Sequence, residues 1–139
     1  MKKITTLVVL LLVGTIGFAQ DKAIEQPKKK SPFETWPELK EFHGVMSQTF
    51  HPSEEGNLEP IKSRATEMKE KAAKLADSKI PADLNNEKVV AAVTKLKDNS
   101  VIMEKMIADK KTDKEISDYL IVMHDTFHEI IGLCRDENH

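Results

Sequence analysis

The residues best suited to chemistry lie near the C-terminus, in the stretch MHDTFHEIIGLC from Met123 to Cys134. His124 and His128 are four residues apart, and a carboxylate follows each of them. Side chains at positions i and i+4 share one face of a helix, so these two imidazoles could chelate one ion. Neutral imidazole is a ligand for zinc, copper and iron. If the stretch is helical, it therefore predicts a transition-metal site.

A helix that could face this stretch is predicted near the start of the domain. It opens at a capping box formed by Thr35 and Glu38. It is expected to end at Pro52, because the residue before a proline is pushed out of the helical region. Spacings of three and four give it one inward row, formed by Trp36, Leu39, His43, Met46 and Phe50.

Three further helices are predicted from the same spacing and from capping signals. They begin near Asn57, near Glu87 and at Thr112, and short turn-rich segments separate them. The inward row of the last helix is Ile116, Leu120, Met123, Phe127, Ile130 and Cys134. No segment alternates as a strand would. The sequence therefore predicts an all-α domain folded as an up-down-up-down antiparallel four-helix bundle.

Four of the five histidines fall on the first and last helices, which are antiparallel neighbours in such a bundle. If Trp36 lies level with Asp136, His43 comes close to His128, and His51 comes within a turn of His124. The predicted metal site is therefore His43, His51, His124 and His128, with zinc or copper as the ion. Possible additional ligands are Met46, Cys134, Glu54 and Glu55. The alternative is that the histidines are hydrogen-bonded core and interface residues.

The N-terminus predicts export. A short basic start, an apolar run from Ile4 to about Phe18 and small residues at Gly17 and Ala19 are typical of a secretory signal peptide. We expect a signal peptide over residues 1–19, a flexible leader over 20–34 and the bundle domain over 35–139. The protein is then periplasmic or secreted, with no membrane span after cleavage.

Charge and residue types exclude several functions. Removal of Lys2 and Lys3 leaves 19 of the 21 basic residues against 23 acidic ones, a formal net charge of −4 that argues against nucleic acid as a partner. The single cysteine, Cys134, cannot form an internal disulfide. It is a buried apolar residue, a ligand or an intermolecular bridge that would make a homodimer. No nucleophile–base arrangement or phosphate loop is evident, so we expect no enzyme.

The run from Leu120 to His128 resembles the last helix of the cytochromes c-prime, which carries Cys-x-x-Cys-His. The resemblance aligns His124 with the haem-ligating histidine and puts Leu120 and Met123 at the two cysteine positions, so covalent haem attachment would be impossible. The layout is also similar to cytochrome b562, which holds haem without cysteines. That resemblance implies Met46 and either His124 or His128 as axial ligands of haem b.

Three functions follow from these patterns. The favoured one is an exported metal-binding bundle, because the chain concentrates four histidines whereas haem needs at most two. The second is a b-type cytochrome that transfers electrons. The third is a cofactor-free helical protein that binds a partner.

Overall fold

The computed structural model describes residues 30–136, so the predicted signal peptide and the leader up to residue 29 lie outside the described residues. Within 30–136 the chain is helical and has no strand, which confirms the all-α class. The helices are α1 (Pro32–Thr35), α2 (Pro37–Glu54), α3 (Glu59–Asp77), α4 (Glu87–Ala108) and α5 (Asp113–Asp136). None of them is both long and apolar enough to cross a bilayer.

A short helix, α1, precedes the predicted start of the first long helix. Ser31, not Thr35, forms the capping box, because its backbone N–H donates to Glu34 Oε2 at 2.7 Å and its hydroxyl accepts from the Phe33 N–H at 3.2 Å. The resulting short α1 lies in the segment that was expected to be a flexible leader. It leads into the buried Trp36, after which Pro37 begins α2. The side chain of Phe33 is thereby packed against the hydrophobic core.

The prediction that Pro52 ends the first long helix is wrong, because α2 continues to Glu54. Its last turn closes in a Schellman motif: the Asn57 N–H donates to the Pro52 carbonyl at 3.0 Å, and the Gly56 N–H donates to the Ser53 carbonyl at 3.0 Å. This motif needs a left-handed residue, and Gly56 supplies it at φ +82°. His51 and Glu54 therefore lie on one continuous helix, three residues apart.

The caps of α4 and α5 agree with the sequence. The Asn86 side chain accepts from two N–H groups at the start of α4, and Thr112 forms the predicted capping box with Glu115 at the start of α5. The whole predicted row of α5 is buried. In α2 one residue departs from its row: His43 is exposed, and its neighbour Phe42 is fully buried instead.

Each long helix packs against two others. α2 contacts α3 and α5, and α4 likewise contacts α3 and α5. α2 and α5 run antiparallel. His43, early in α2, stacks on Phe127, whereas Phe50, later in α2, stacks on the earlier α5 residue His124. The first and last long helices are thus neighbours, and their interface holds the predicted site.

Candidate metal centre

A cleft of about 200 Å³ opens between α2 and α5. The four histidines named from the sequence all line it, together with the buried Met46. The full lining is His43, Met46, Ser47, His51, His124, Phe127 and His128. Residues more than seventy positions apart in the chain are therefore brought to one place by the antiparallel packing of two helices.

His124 and His128 form the centre of the cleft. Their Nε2 atoms lie 3.1 Å apart, and one ring donates a hydrogen bond to the other. Two nitrogens that each lie about 2.0–2.1 Å from one zinc ion and 3.1 Å from each other subtend an angle of about 100°, near the tetrahedral value. The distance between the two nitrogens is therefore compatible with chelation of one ion.

Phe50 holds the ring of His124 in this orientation. The two rings stack with centroids 3.7 Å apart and planes 4° from parallel, and Phe50 itself is 8% exposed. A face-to-face contact of this kind restricts rotation of the imidazole about its side-chain bonds. Because Phe50 comes from α2 and His124 from α5, this stack also fixes the register of the two helices.

His51 supplies a third imidazole from the opposite helix. Its Nδ1 lies 3.0 Å from Glu54 Oε2, so Nε2 is the nitrogen left for a ligand. A carboxylate on the second ring nitrogen is the usual arrangement behind a metal-binding histidine, since it sets the tautomer and raises ligand basicity. His51 remains 68% exposed at its side chain, which leaves it room to turn toward the cleft. Glu55, by contrast, is the C-cap beyond the helix and does not line the cleft.

The pKa of His124 is lowered from its ordinary value. Burial is the main cause, and the neighbouring charge of His128 adds to it, whereas Asp125 and Glu54 act in the opposite direction. His51 also lowers the pKa of His124, which places both α2 groups within electrostatic reach of the α5 pair. The consequence is that His124 stays neutral to lower pH than a solvated histidine, and neutral imidazole is the form that binds metal.

His43 occupies the other end of the cleft. Its ring lies between Phe33 and Phe127, with centroid distances of 5.0 and 5.4 Å. Along α2 it is two helical turns and about 12 Å from His51, at a rise of 1.5 Å per residue. The prediction that His43 belongs to the inward row is wrong, because the bulkier Phe42 takes the buried position beside it. The ring of His43 is therefore flanked by the aromatic rings of Phe33 and Phe127.

The two sulfur-bearing candidate ligands, Met46 and Cys134, line different cavities. Met46 is 1% exposed and forms part of the cleft. Cys134 does not line that cleft. It is buried beside a different cavity of about 280 Å³, near Phe33 and Leu84, where burial raises the pKa of its thiol to about 11. A buried, protonated thiol is a poor ligand and cannot bridge to a second chain without local opening.

The cleft is not closed around a ligand set. In the described part of the chain, no three His, Cys, Asp or Glu side chains converge as a complete metal-binding group. Nor does any hydrogen bond or ion pair between residues 30 and 136 join the cleft residues of α2 to those of α5. The imidazoles of His124 and His128 are therefore in contact with each other, and a side chain from α2 would reach them only by a change of rotamer.

Sequence reasoning missed two aromatic residues that shape the site. Phe50 was expected only as a core residue, and Phe33 was placed in the leader. The signal for Phe33 was available in Ser31, Pro32 and Glu34, which together have the residue types of a capped first turn. No comparable local signal marks the Phe50–His124 stack, because it depends on the pairing of two distant helices.

A comparison of the chain with protein-family models, with curated proteins and with solved structures finds no match. No family is therefore assigned to the chain. Its function has to be argued from the chemistry of the α2–α5 cleft.

Proposed function

We propose that this protein is an exported metal-binding protein that holds a transition-metal ion, zinc or copper, between α2 and α5. The four long helices would form an up-down-up-down antiparallel bundle, in which α2 and α5 are adjacent because each contacts the other as well as its neighbour in sequence. The apolar run before residue 19 supports export. The observation that carries the proposal is the 3.1 Å separation of the two Nε2 atoms of His124 and His128.

The ligands are assigned by reach and by existing partners. His124 and His128 chelate the ion through Nε2, and His51 adds a third nitrogen from α2. Glu54 holds Nδ1 of His51 and thereby orients that ring. His43 is assigned to the wall of the cleft, because aromatic rings flank it and it lies two turns from His51. The bound ion would then link α2 and α5, whose cleft residues form no hydrogen bond or ion pair with each other in the described part of the chain.

The dimensions of the cleft favour an ion over haem. Its volume of about 200 Å³ is below the roughly 300–1,000 Å³ of sites that enclose a small organic ligand. A b-type cytochrome, with Met46 and His124 as axial ligands, would require α2 and α5 to separate. If the protein binds neither an ion nor haem, the remaining function is that of a cofactor-free helical protein that binds a partner.

The test uses the chain from Gln20 to His139 and a chromophoric chelator in competition for zinc. We expect one ion per chain in the parent. The variant His124→Ala/His128→Ala should lose at least about a hundredfold in affinity, because removal of even a group that only orients a ligand costs 10- to 100-fold. Helix content measured by circular dichroism should be unchanged, since the buried row of α5 does not include either histidine.

A matched control is Glu129→Ala, also on the exposed side of α5 but facing α4, where its carboxylate pairs with Lys95 at 3.4 Å. It should bind zinc as the parent does. Equal affinity in the parent and in the double variant would refute the proposed site. A Soret band in the purified parent that acid-acetone removes would instead support the b-type cytochrome.

A further inference from the structure

The cleft contains one feature that a zinc site would not use, the side chain of Met46. Among the sulfur-bearing residues between 30 and 136, Met46 alone lines this cleft. It is 1% exposed, whereas His51 and His128 are exposed, so Met46 belongs to the buried side of the cleft. An ion held by His124 and His128 would therefore share the cleft with a buried thioether.

We infer that the ion for which this cleft is built is copper(I), bound by Met46 Sδ together with the imidazoles of His124 and His128. This inference rests on the proposed metal-binding function and adds the identity of the ion. Zinc is bound in proteins by thiolate, imidazole and carboxylate. A neutral thioether is a soft ligand that selects copper(I), and imidazole accepts copper equally well.

The charge balance of the cleft points the same way. None of the residues that line it carries a formal negative charge. Asp125 and Glu54 act on His124 from outside the lining, and Glu54 is hydrogen-bonded to His51. The desolvation cost of an ion rises with the square of its charge, so a monovalent ion enters a neutral, partly buried site at lower cost than a divalent one. Neutral nitrogen and sulfur ligands thus suit copper(I) better than zinc(II).

Cys134 does not supply the sulfur. It lines a separate cavity with Asp83 and Leu84, and Phe33 stands between that cavity and the stacked ring of His43. The two sulfur atoms then have different places in one domain, that of Met46 at the metal and that of Cys134 in the core. That distinction can be measured.

The experiment compares copper(I) and zinc(II) affinities of four proteins under anaerobic conditions, by competition with a chromophoric chelator for each ion. The proteins are the parent, Met46→Leu, Met103→Leu and Cys134→Ala. Leucine keeps the volume of methionine without its sulfur, and Met103 is a buried methionine of α4 outside the cleft. Circular dichroism and a melting curve check that each variant is folded.

We expect Met46→Leu to lower copper(I) affinity by at least about tenfold and to leave zinc(II) affinity within a factor of about two, since a direct ligand should matter at least as much as an outer-shell partner. Met103→Leu and Cys134→Ala should match the parent for both ions. The copper X-ray absorption spectrum should contain a sulfur scatterer that Met46→Leu lacks.

Three kinds of result would overturn the inference, and they differ in what else they affect. If Met46→Leu leaves copper(I) affinity unchanged, or if Cys134→Ala removes the sulfur scatterer, Met46 is not a ligand and the histidine site stands alone. If the parent binds neither ion, the proposed function fails as well. If Met46→Leu weakens both ions equally, the methionine shapes the cleft without selecting the metal, and the assignment to copper(I) is wrong.

Discussion

The α2–α5 interface and the α3–α4 interface differ in the size of the side chains that pack between the two helices. α3 and α4 lie close together along their length, and small residues such as Ala72 and Ala92 are among those they bury. α2 and α5 come close over a short stretch only, and Phe42, Phe50 and Phe127 fill the space between them. Large rings hold two helix axes apart, whereas alanines let them approach.

The polar groups of the two interfaces differ in the same sense. Between α3 and α4, Glu104 accepts hydrogen bonds from both Lys69 and Thr66, and Lys97 lies 3.9 Å from Asp77. In the α2–α5 cleft each polar contact stays within its own helix, as in the His51–Glu54 and His124–His128 pairs. One interface is already joined by its own charges. The other presents imidazoles that an added cation could join.

The largest effect should follow from the loss of a ring that separates α2 from α5. Phe127→Ala removes a side chain that contacts Phe33, Phe42 and His43, so it should lower the free energy of unfolding by about 3–5 kcal/mol. It should also weaken metal binding, because the cleft collapses. Urea unfolding and a zinc titration measure the two effects.

The matched change outside the cleft is Leu96→Ala in α4, a residue that is fully buried and does not line the cleft. It should cost about 2–5 kcal/mol of unfolding free energy and leave metal affinity unchanged wherever the variant is folded. The comparison fails if both variants weaken metal binding to the same degree.

A more selective change is Phe50→Leu, which keeps an apolar side chain but removes the stack on His124. We expect about a tenfold loss of zinc affinity, because an outer-shell partner of a ligand typically contributes 10- to 100-fold. The unfolding free energy should fall by about 1–2 kcal/mol, as for an ordinary core substitution. Unchanged affinity would mean that the stack packs the ring without orienting it for metal.

Acid should act on the metal-free protein through His124. Its pKa in the folded state is lowered below the ordinary value of 6.5, so the unfolded chain takes up a proton first as the pH falls. The contribution of His124 to stability should therefore be constant above about pH 6.5 and should decrease below it until the folded pKa is reached. Melting curves between pH 8 and 5 test this for the parent. In His124→Phe, where the titrating ring is replaced by an aromatic one, the decrease should be smaller.

The smallest effect should come from the charges of the α3–α4 interface. Glu104 is solvent-accessible, and the pKa of its carboxyl is lowered by Lys69 and then by Thr66. Replacement by glutamine should change the melting temperature only slightly, and less at high salt, because exposed ion pairs are weak and screened. Zinc affinity should not change. A clear loss of metal binding in Glu104→Gln would show that the two interfaces are not independent.

The sequence specified most of the fold but only part of the site. Capping residues at Asn86 and Thr112 and the apolar row of α5 are local signals, and the structure has them where they were predicted. Pro52 was wrongly predicted to end the helix. A proline in the final turn destabilises a helix little when a glycine two residues beyond the helix completes a Schellman motif.

The exposure of His43 could not be read from spacing alone. A row drawn at intervals of three and four includes it, yet Phe42 lies one position away and buries a larger apolar surface. Which of two adjacent residues turns inward depends on what the neighbouring helices offer, here the ring of Phe127. The convergence of His124 and His128 was predictable, since it depends only on helical geometry.

The most direct test of the central claim, that a metal ion joins α2 to α5 through histidine, is an anomalous diffraction map of crystals grown with zinc. We expect one peak per chain between Nε2 of His124 and Nε2 of His128, with His51 of α2 turned in as a further ligand. A peak bound only by groups of one helix, or located outside the cleft, would contradict it, as would crystals whose histidine cleft contains no peak at saturating zinc.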